Sequence, residues 1–118
     1  MSEAMVFVQN DMLFNTHVFV AFVHVSQPVG IVIADYPQVI QPWGQPMPPR
    51  PWPSIEILYL HVIPEYRGNG VGKFMIQELQ GDFDRILVKR LPDEEMSAFY
   101  GKLGFVKLES GEMEWKRA

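Results

Sequence analysis

Apolar residues in this chain gather in short runs, and the runs change period partway along the sequence. His17-Val18-Phe19-Val20-Ala21-Phe22-Val23-His24-Val25 is β-branched and aromatic without helical spacing, and reads as a buried strand. Ser26-Gln27-Pro28 supplies a turn, and Val29 to Ala34 reads as the second strand of a hairpin. Residues 55–63, Ile-Glu-Ile-Leu-Tyr-Leu-His-Val-Ile, carry the strongest strand signal, and Pro64 ends it. Beyond it Val71, Phe74, Met75 and Leu79 recur at helical spacing, with Gly81 as a natural stop. Arg85 to Leu91 reads as a further core strand. Pro92 and Asp93 open a second helix, whose first-turn Glu94 and Glu95 suit the helix dipole. Met96, Phe99, Tyr100 and Leu103 give that helix its buried stripe, and Gly104 closes it. Phe105 to Leu108 and Met113 to Lys116 read as a final hairpin around Ser110-Gly111. Met5-Val6-Phe7-Val8 reads as an edge strand in preference to a short helix.

The main order is β-β-loop-β-α-β-α-β-β, which predicts an α/β (α+β) fold: a mixed, mostly antiparallel sheet flanked by helices. The loop stands out. Seven of the ten prolines fall between Pro37 and Pro53, with Gly44 among them, so residues 36–53 can be neither helix nor central strand. The 118 residues fit one domain, 1–118, large enough to bury a core.

Charge and composition narrow the classes. The net charge of −4 argues against nucleic acid as the main partner. Residues 1–64 carry Arg50 as their one Lys or Arg, so nine of the ten basic groups lie in residues 65–118. Cysteine is absent, which excludes disulfides and thiolate metal sites, and no other metal site is suggested. No apolar run is long enough to cross a bilayer, and the N-terminus lacks the layout of a signal peptide; a cytoplasmic protein is expected.

The candidate chemistry centres on Arg67-Gly68-Asn69-Gly70-Val71-Gly72, set between a strand and a helix. A helix N-terminus presents unpaired N–H groups and a partial positive charge, and glycines allow close approach of the backbone to phosphate oxygens. Arg67 and Lys73 add charge-assisted donors at either end. A P-loop is excluded because Lys73 is followed by Phe74 instead of Ser or Thr. A dinucleotide fingerprint would end its next strand in an acidic residue, where this chain has Lys89-Arg90. Taken alone, the turn is read equally well as a solvated glycine turn without a ligand.

The longer stretch Leu60-His61-Val62-Ile63-Pro64-Glu65-Tyr66-Arg67-Gly68-Asn69-Gly70-Val71-Gly72 resembles the signature of the GNAT family of N-acetyltransferases. Ala98-Phe99-Tyr100-Gly101-Lys102-Leu103-Gly104-Phe105 resembles that family's closing helix and turn, and the likeness spans residues 17–118. The resemblance implies acetyl-CoA as acetyl donor and a primary amine, on a protein or small molecule, as acceptor, with direct attack in a ternary complex. It implies that the backbone of Leu60, His61 and Val62 pairs with the pantetheine arm and that the N–H groups from Arg67 to Gly72 hold the pyrophosphate, Gly68, Asn69, Gly70 and Val71 included. Tyr100 stands at the position of the family's acid, and Glu56 where some members carry a glutamate base. The alternative roles are a core tyrosine and an exposed strand-end charge. His61 is a further candidate for proton relay, while His17 and His24 receive no role.

Two departures from the family pattern matter. Asp93 occupies a position where the family often has an asparagine that binds the cofactor, and its alternative role is a helix cap. Only 16 residues precede the strand that begins at His17, where the family builds a strand and two helices lining the acceptor pocket. The proline-rich loop with Tyr36, Trp43 and Trp52, or a second copy of the chain in a homodimer, would then cover the acceptor face; Pro46 to Pro53 also fits a polyproline II ligand. Two functions follow: an N-acetyltransferase, or a non-catalytic acetyl-CoA-binding regulatory or interaction module on the same fold.

Overall fold

The computed structural model describes residues 5–11, 16–23, 27–35, 54–88 and 93–117. Its elements are β1 (Met5–Asp11), β2 (Thr16–Val23), β3 (Gln27–Asp35), β4 (Ser54–Val62), a 3₁₀ turn (Pro64–Tyr66), α1 (Val71–Asp82), β5 (Arg85–Val88), α2 (Glu94–Lys102), β6 (Val106–Lys107) and β7 (Met113–Lys116). The seven strands form one sheet in the order β1-β2-β3-β4-β5-β7-β6. Every pairing is antiparallel except β4 with β5, which α1 joins as a crossover. A parallel pair needs a connection of that kind, because a tight turn can only reverse the chain. The expected mixed, mostly antiparallel sheet flanked by helices is therefore what forms.

Strand alternation decides which side chains meet the helices. Phe19, Ala21 and Val23 of β2, Val32 and Ala34 of β3, Ile55 and Ile57 of β4, and Ile86 and Val88 of β5 point to one face and are buried. Val71, Met75, Ile76 and Leu79 form the buried stripe of α1 that covers them. Each such side chain contributes about 1.5–3 kcal/mol by leaving water, so this layer is the main stabilising contact of the fold. Gly30 lets α1 approach β3 closely: a Cβ there would lie 2.8 Å from Met75 Cε and 3.0 Å from Val71 Cγ1.

The other face carries Val6 and Val8 of β1, Val20 and Phe22 of β2, Ile31 and Ile33 of β3, and Tyr59 and His61 of β4. No helix among the described residues packs on it, and Val6, Val8 and Tyr59 are exposed. The residues proposed to cover this face, 36–53 with Tyr36, Trp43 and Trp52, lie outside the described residues, as do His24 and Lys89-Arg90.

Several boundaries differ from the sequence reading, each for a physical reason. β3 begins at Gln27, because Gln27 and Pro28 pair with Val23 and Phe22; Val29 is the extra residue of a bulge, and its carbonyl accepts from Ile63 N at 3.0 Å. Gly81 does not stop α1. The helix continues to Asp82 because Phe83, buried, donates its N–H to Leu79 O at 2.9 Å and anchors the last turn. β1 is the predicted edge strand and runs on to Asp11. β6 shortens to Val106–Lys107.

The C-terminal strand is tied back to α1 by one side chain. Arg117 Nε meets Asp84 Oδ1 at 2.9 Å, while its Nη2 donates to Gln80 O at 2.7 Å, Gly81 O at 3.3 Å and Phe83 O at 2.9 Å. These carbonyls end a helix and lack intrahelical donors, and the cation also suits the negative end of the dipole. Arg117→Ala is expected to lower unfolding free energy by about 1–2 kcal/mol, seen as a lower urea midpoint at constant m-value. Asp84→Ala should cost less than half of that, since it removes only the exposed ion pair and keeps the carbonyl contacts.

Candidate functional site

A groove opens along the second half of β4. β4 and β5 pair from Ser54↔Arg85 to Ile57↔Val88. From Leu58 to Val62, β4 keeps β3 on one side and has no paired strand on the other among the described residues. Its register against β3 also slips here: Ile33 faces Tyr59 and Ala34 faces Ile57, so Leu58 is a bulged residue. The bulge shifts the alternation. Ile55 and Ile57 face the helices before it, and Leu60 and Val62 after it, which turns Tyr59 and His61 onto the open face.

A groove of about 560 Å³ lies along this unpaired edge, walled by Leu60, His61 and Val62, by the turn and first residues of α1, and by the start of α2. The turn between them is built from local bonds. Tyr66 N donates to Ile63 O at 3.0 Å, Arg67 N to Pro64 O at 3.2 Å and Asn69 N to Tyr66 O at 3.3 Å, while Arg67 Nε reaches back to Val62 O at 3.0 Å. Gly68 and Gly70 have φ of 84° and 82°, a left-handed conformation costly for any residue with a Cβ. Gly72 is needed for a different reason: a Cβ there would stand 3.2 Å from Phe99 Cζ, so it sets the close approach of α1 to α2.

The first intrahelical bond of α1 is Phe74 N to Gly70 O at 2.9 Å. The N–H groups of Gly70, Val71, Gly72 and Lys73 are therefore the orphan donors of the helix, and they carry the positive end of its dipole. The expected donor set from Arg67 to Gly72 narrows accordingly, since the N–H groups of Arg67 and Asn69 are spent inside the turn. Asn69 does not line the groove. Of the other predicted site residues, Leu60, His61, Val62, Arg67, Gly68, Gly70, Val71, Gly72, Lys73 and Asp93 all do.

Asp93 is the N-cap of α2, its Oδ1 accepting from Met96 N at 2.8 Å, and it also stands on the groove wall. The helix-cap reading is what forms here. Glu56 lies four residues before Leu60, about 13 Å along an extended strand, and is absent from the groove wall. It is half-buried beside Asp35 on β3 and Leu87 on β5. Tyr100 is not on the wall either. It is 2% exposed, its ring 5.1 Å from those of both Phe99 and Phe105. Burial pushes its pKa up from 10.0 to about 12.

Tyr66, Glu95, Met96 and Phe99 line the groove and were not picked out as site residues. Met96 and Phe99 were placed in the apolar stripe of α2, which is correct as a face, but only Tyr100 on that stripe is fully buried. Helical period identifies an apolar face without saying that its first turn borders a cleft. His61 stacks on Tyr59 with centroids 6.1 Å apart and planes at 10°. Among the described residues no group of three or more His, Cys, Asp or Glu could hold a metal, and no helix is long and apolar enough to cross a membrane.

Because the Tyr100 pKa is raised, the folded state holds its proton while the unfolded chain loses it between pH 10 and about 12. Stability is thus unaffected below pH 10 and falls across that window, by about 1.4 kcal/mol per pH unit. In Tyr100→Phe this part of the decline should vanish, which denaturant titrations at pH 9 and 11 would resolve; equal slopes in both proteins would contradict the burial of the phenol.

The profile of the acetyltransferase (GNAT) domain matches residues 14–107 of the chain. Among solved structures, the chain is similar to a protein from Exiguobacterium sp. 255-15 assigned as an acetyltransferase, at 20% identity and a TM-score of 0.56, covering 86% of this chain and 62% of that one. It thus spans under two thirds of that protein's length. It is similar over nearly its whole length to the IAA acetyltransferase of Bacillus cereus ATCC 14579, at 13% identity and a TM-score of 0.66, covering 96% of this chain and 99% of that one. AtaTR bound with AcCoA is similar at 15% identity and a TM-score of 0.62, with 86% and 67% covered. No curated protein matches the sequence.

Proposed function

The chain belongs to the GNAT acetyltransferase family, and on that premise we propose that it is an acetyl-CoA-dependent N-acetyltransferase that moves the acetyl group to a primary amine in a ternary complex. The observation that carries the reading is the groove itself: an unpaired strand edge, Leu58–Val62, runs into the four orphan N–H groups at the start of α1. An amide-bearing pantetheine arm fits the strand edge as a further strand would, and a pyrophosphate fits the helix end. Gly70, Val71, Gly72 and Lys73 supply the donors, with Arg67 and Lys73 as flanking cations. A relative of the same fold was solved as AtaTR bound with AcCoA, which supports the choice of donor.

In the transfer, the amine nitrogen attacks the thioester carbonyl, the C–N bond forms, the C–S bond breaks, the amine gives up a proton and the sulfur takes one up. The amine would approach over the open face, where Tyr59 and His61 stand. His61 touches both that face and the groove, so it is better placed than Glu56 to receive the amine proton; Glu56 would serve it through water. Backbone N–H groups near Leu60 and His61 would hold the carbonyl oxygen as charge develops. Tyr100 remains protonated at neutral pH with a pKa of about 12. As an acid it would reach a departing sulfur only if the thioester comes down to its buried hydroxyl, and then as a hydrogen-bond donor, since handing its whole proton to a thiolate of pKa about 8.5 is uphill.

The burial of Tyr100 away from the groove wall favours a second reading, a module that binds acetyl-CoA without turnover. Calorimetry with acetyl-CoA tests what both share: binding should be present and lost in Gly70→Glu, where a left-handed glycine becomes a bulky anion at the phosphate position. Thiol release with a panel of amines then separates them. Turnover above hydrolysis with any amine supports the enzyme, and His61→Ala should shift the pH–rate profile more than Glu56→Gln does. Cofactor binding without turnover on any amine supports the module. Tyr100→Phe is expected to lower turnover by about 10²-fold with donor affinity retained.

A further inference from the structure

The open face of the sheet carries an apolar lane that starts at the groove. His61 on β4 pairs with Ile31 on β3, Ile31 with Val20 on β2, and Val20 with Val8 on the edge strand β1. Strand alternation turns all four side chains away from the helices. With strands about 4.8 Å apart, the lane runs about 14 Å from His61 to Val8, across the strands instead of along them. Tyr59, Ile33 and Val18 form a second row beside it. Val8 is 38% exposed and Tyr59 42%, so the floor is open at its far end and at its flank. His61 also lines the groove, which makes the lane continuous with the end of the donor site.

Resting on the transferase reading above, we infer that this lane is the floor on which the acceptor's carbon skeleton lies, and that the preferred acceptor is a primary amine on an apolar tail. The amine stands by His61 and the tail crosses Ile31, Val20 and Val8. The chemistry of the lane decides the class. Beyond His61 it presents hydrocarbon only, which stabilises a hydrocarbon tail by burial. A second ammonium or a peptide amide laid on it would give up water and gain no partner from Ile31, Val20 or Val8. The neighbouring carboxylates on β3 and β4, Asp35 and Glu56, face each other in the register, four residues along β3 from Ile31 and about 13 Å away. A polyamine would have to run along the strands to reach them, whereas the lane runs across. The two acceptor classes therefore occupy different directions on the sheet and can be told apart.

The test is thiol release from acetyl-CoA with straight-chain amines from propylamine to decylamine, beside spermidine and a lysine peptide. Full burial of a methylene is worth about fourfold, and a tail on a floor is covered from one side, so kcat/KM should rise about twofold per methylene. The rise should act through KM and level off once the tail has crossed the lane. Val8→Ser alters the far end and should lower the decylamine-to-propylamine ratio of kcat/KM about fourfold. Val20→Thr keeps the shape and β-branching, and should lower the same ratio even where Val8→Ser melts early. A flat dependence on tail length overturns the inference, as does a higher kcat/KM for spermidine or the lysine peptide than for every alkylamine. A dimer in sedimentation that Val8→Ser dissociates also overturns it, because a second copy would then hold the lane. Calorimetry of the amines on the coenzyme A-bound protein keeps the two readings apart. Tail-dependent binding without turnover supports the lane and removes the transferase reading; turnover without tail dependence does the reverse.

Discussion

α1 has to begin within hydrogen-bonding reach of the end of β4, with its unpaired amides turned toward the strand's free edge, and the rest of the groove depends on this junction. The chain turns through Pro64–Tyr66, passes two left-handed glycines at Gly68 and Gly70, and enters the helix with four donors open. Residues other than glycine pay about 1–2 kcal/mol at each left-handed position, so the junction is specified by residue type as much as by packing. Once α1 starts there, Val71, Met75, Ile76 and Leu79 fall over Gly30, Ile57 and Ile86, and the helix cannot slide without exposing its stripe. Burial of that stripe holds the donors still. The phosphate-seeking end of the helix and the hydrophobic core are the two ends of one rigid element.

The second helix completes the cleft by contact with the first. Gly72 against Phe99 brings the two N-termini together, and Gln80 Nε2 to Leu103 O at 2.8 Å ties their far ends. Arg117 then closes the C-terminus of α1 from below with carbonyl contacts and an ion pair to Asp84. The opposite face of the sheet has none of this. Its valines, isoleucines and Tyr59 lie above a bulged strand, and among the described residues His61 is the titratable ring that belongs to both sides. That arrangement separates the sheet into a helix-covered side that carries the groove and an open side whose described residues are mostly apolar and aromatic, with His61, Asp35 and Glu56 among them.

Much of this was readable from residue order. β-branched runs with proline and glycine stops marked β2, β3 and β4, and the shift to helical spacing after Gly70 marked α1, because burial imposes period two on a strand and 3.6 on a helix. The glycine turn between them was visible for the same reason: φ above zero and close approach demand glycine whatever surrounds it. The family signature likewise resides in contiguous residues, which is why Leu60 to Gly72 and the Tyr100 helix sufficed to suggest it.

Tertiary structure decided what depends on neighbours distant in sequence. The bulge at Leu58 reverses the parity of β4, so that Leu60 and Val62 join the core side and His61 faces out; no local pattern announces a bulge that its partner strand imposes. Glu56 and Tyr100 matched positions in a motif, yet the groove wall includes neither, because distance and burial are properties of the packed chain. Phe83 carried α1 past Gly81 through its place in the core. Glu95 read as an ordinary first-turn acid and reached the groove wall only when α2 docked beside α1, next to Asp93, which the sequence offered as a cap or a cofactor contact. The sequence by itself determined the elements, the turn and the family, since these follow from local sterics and periodicity. The fold decided which charges face the groove, since that follows from how the elements pack.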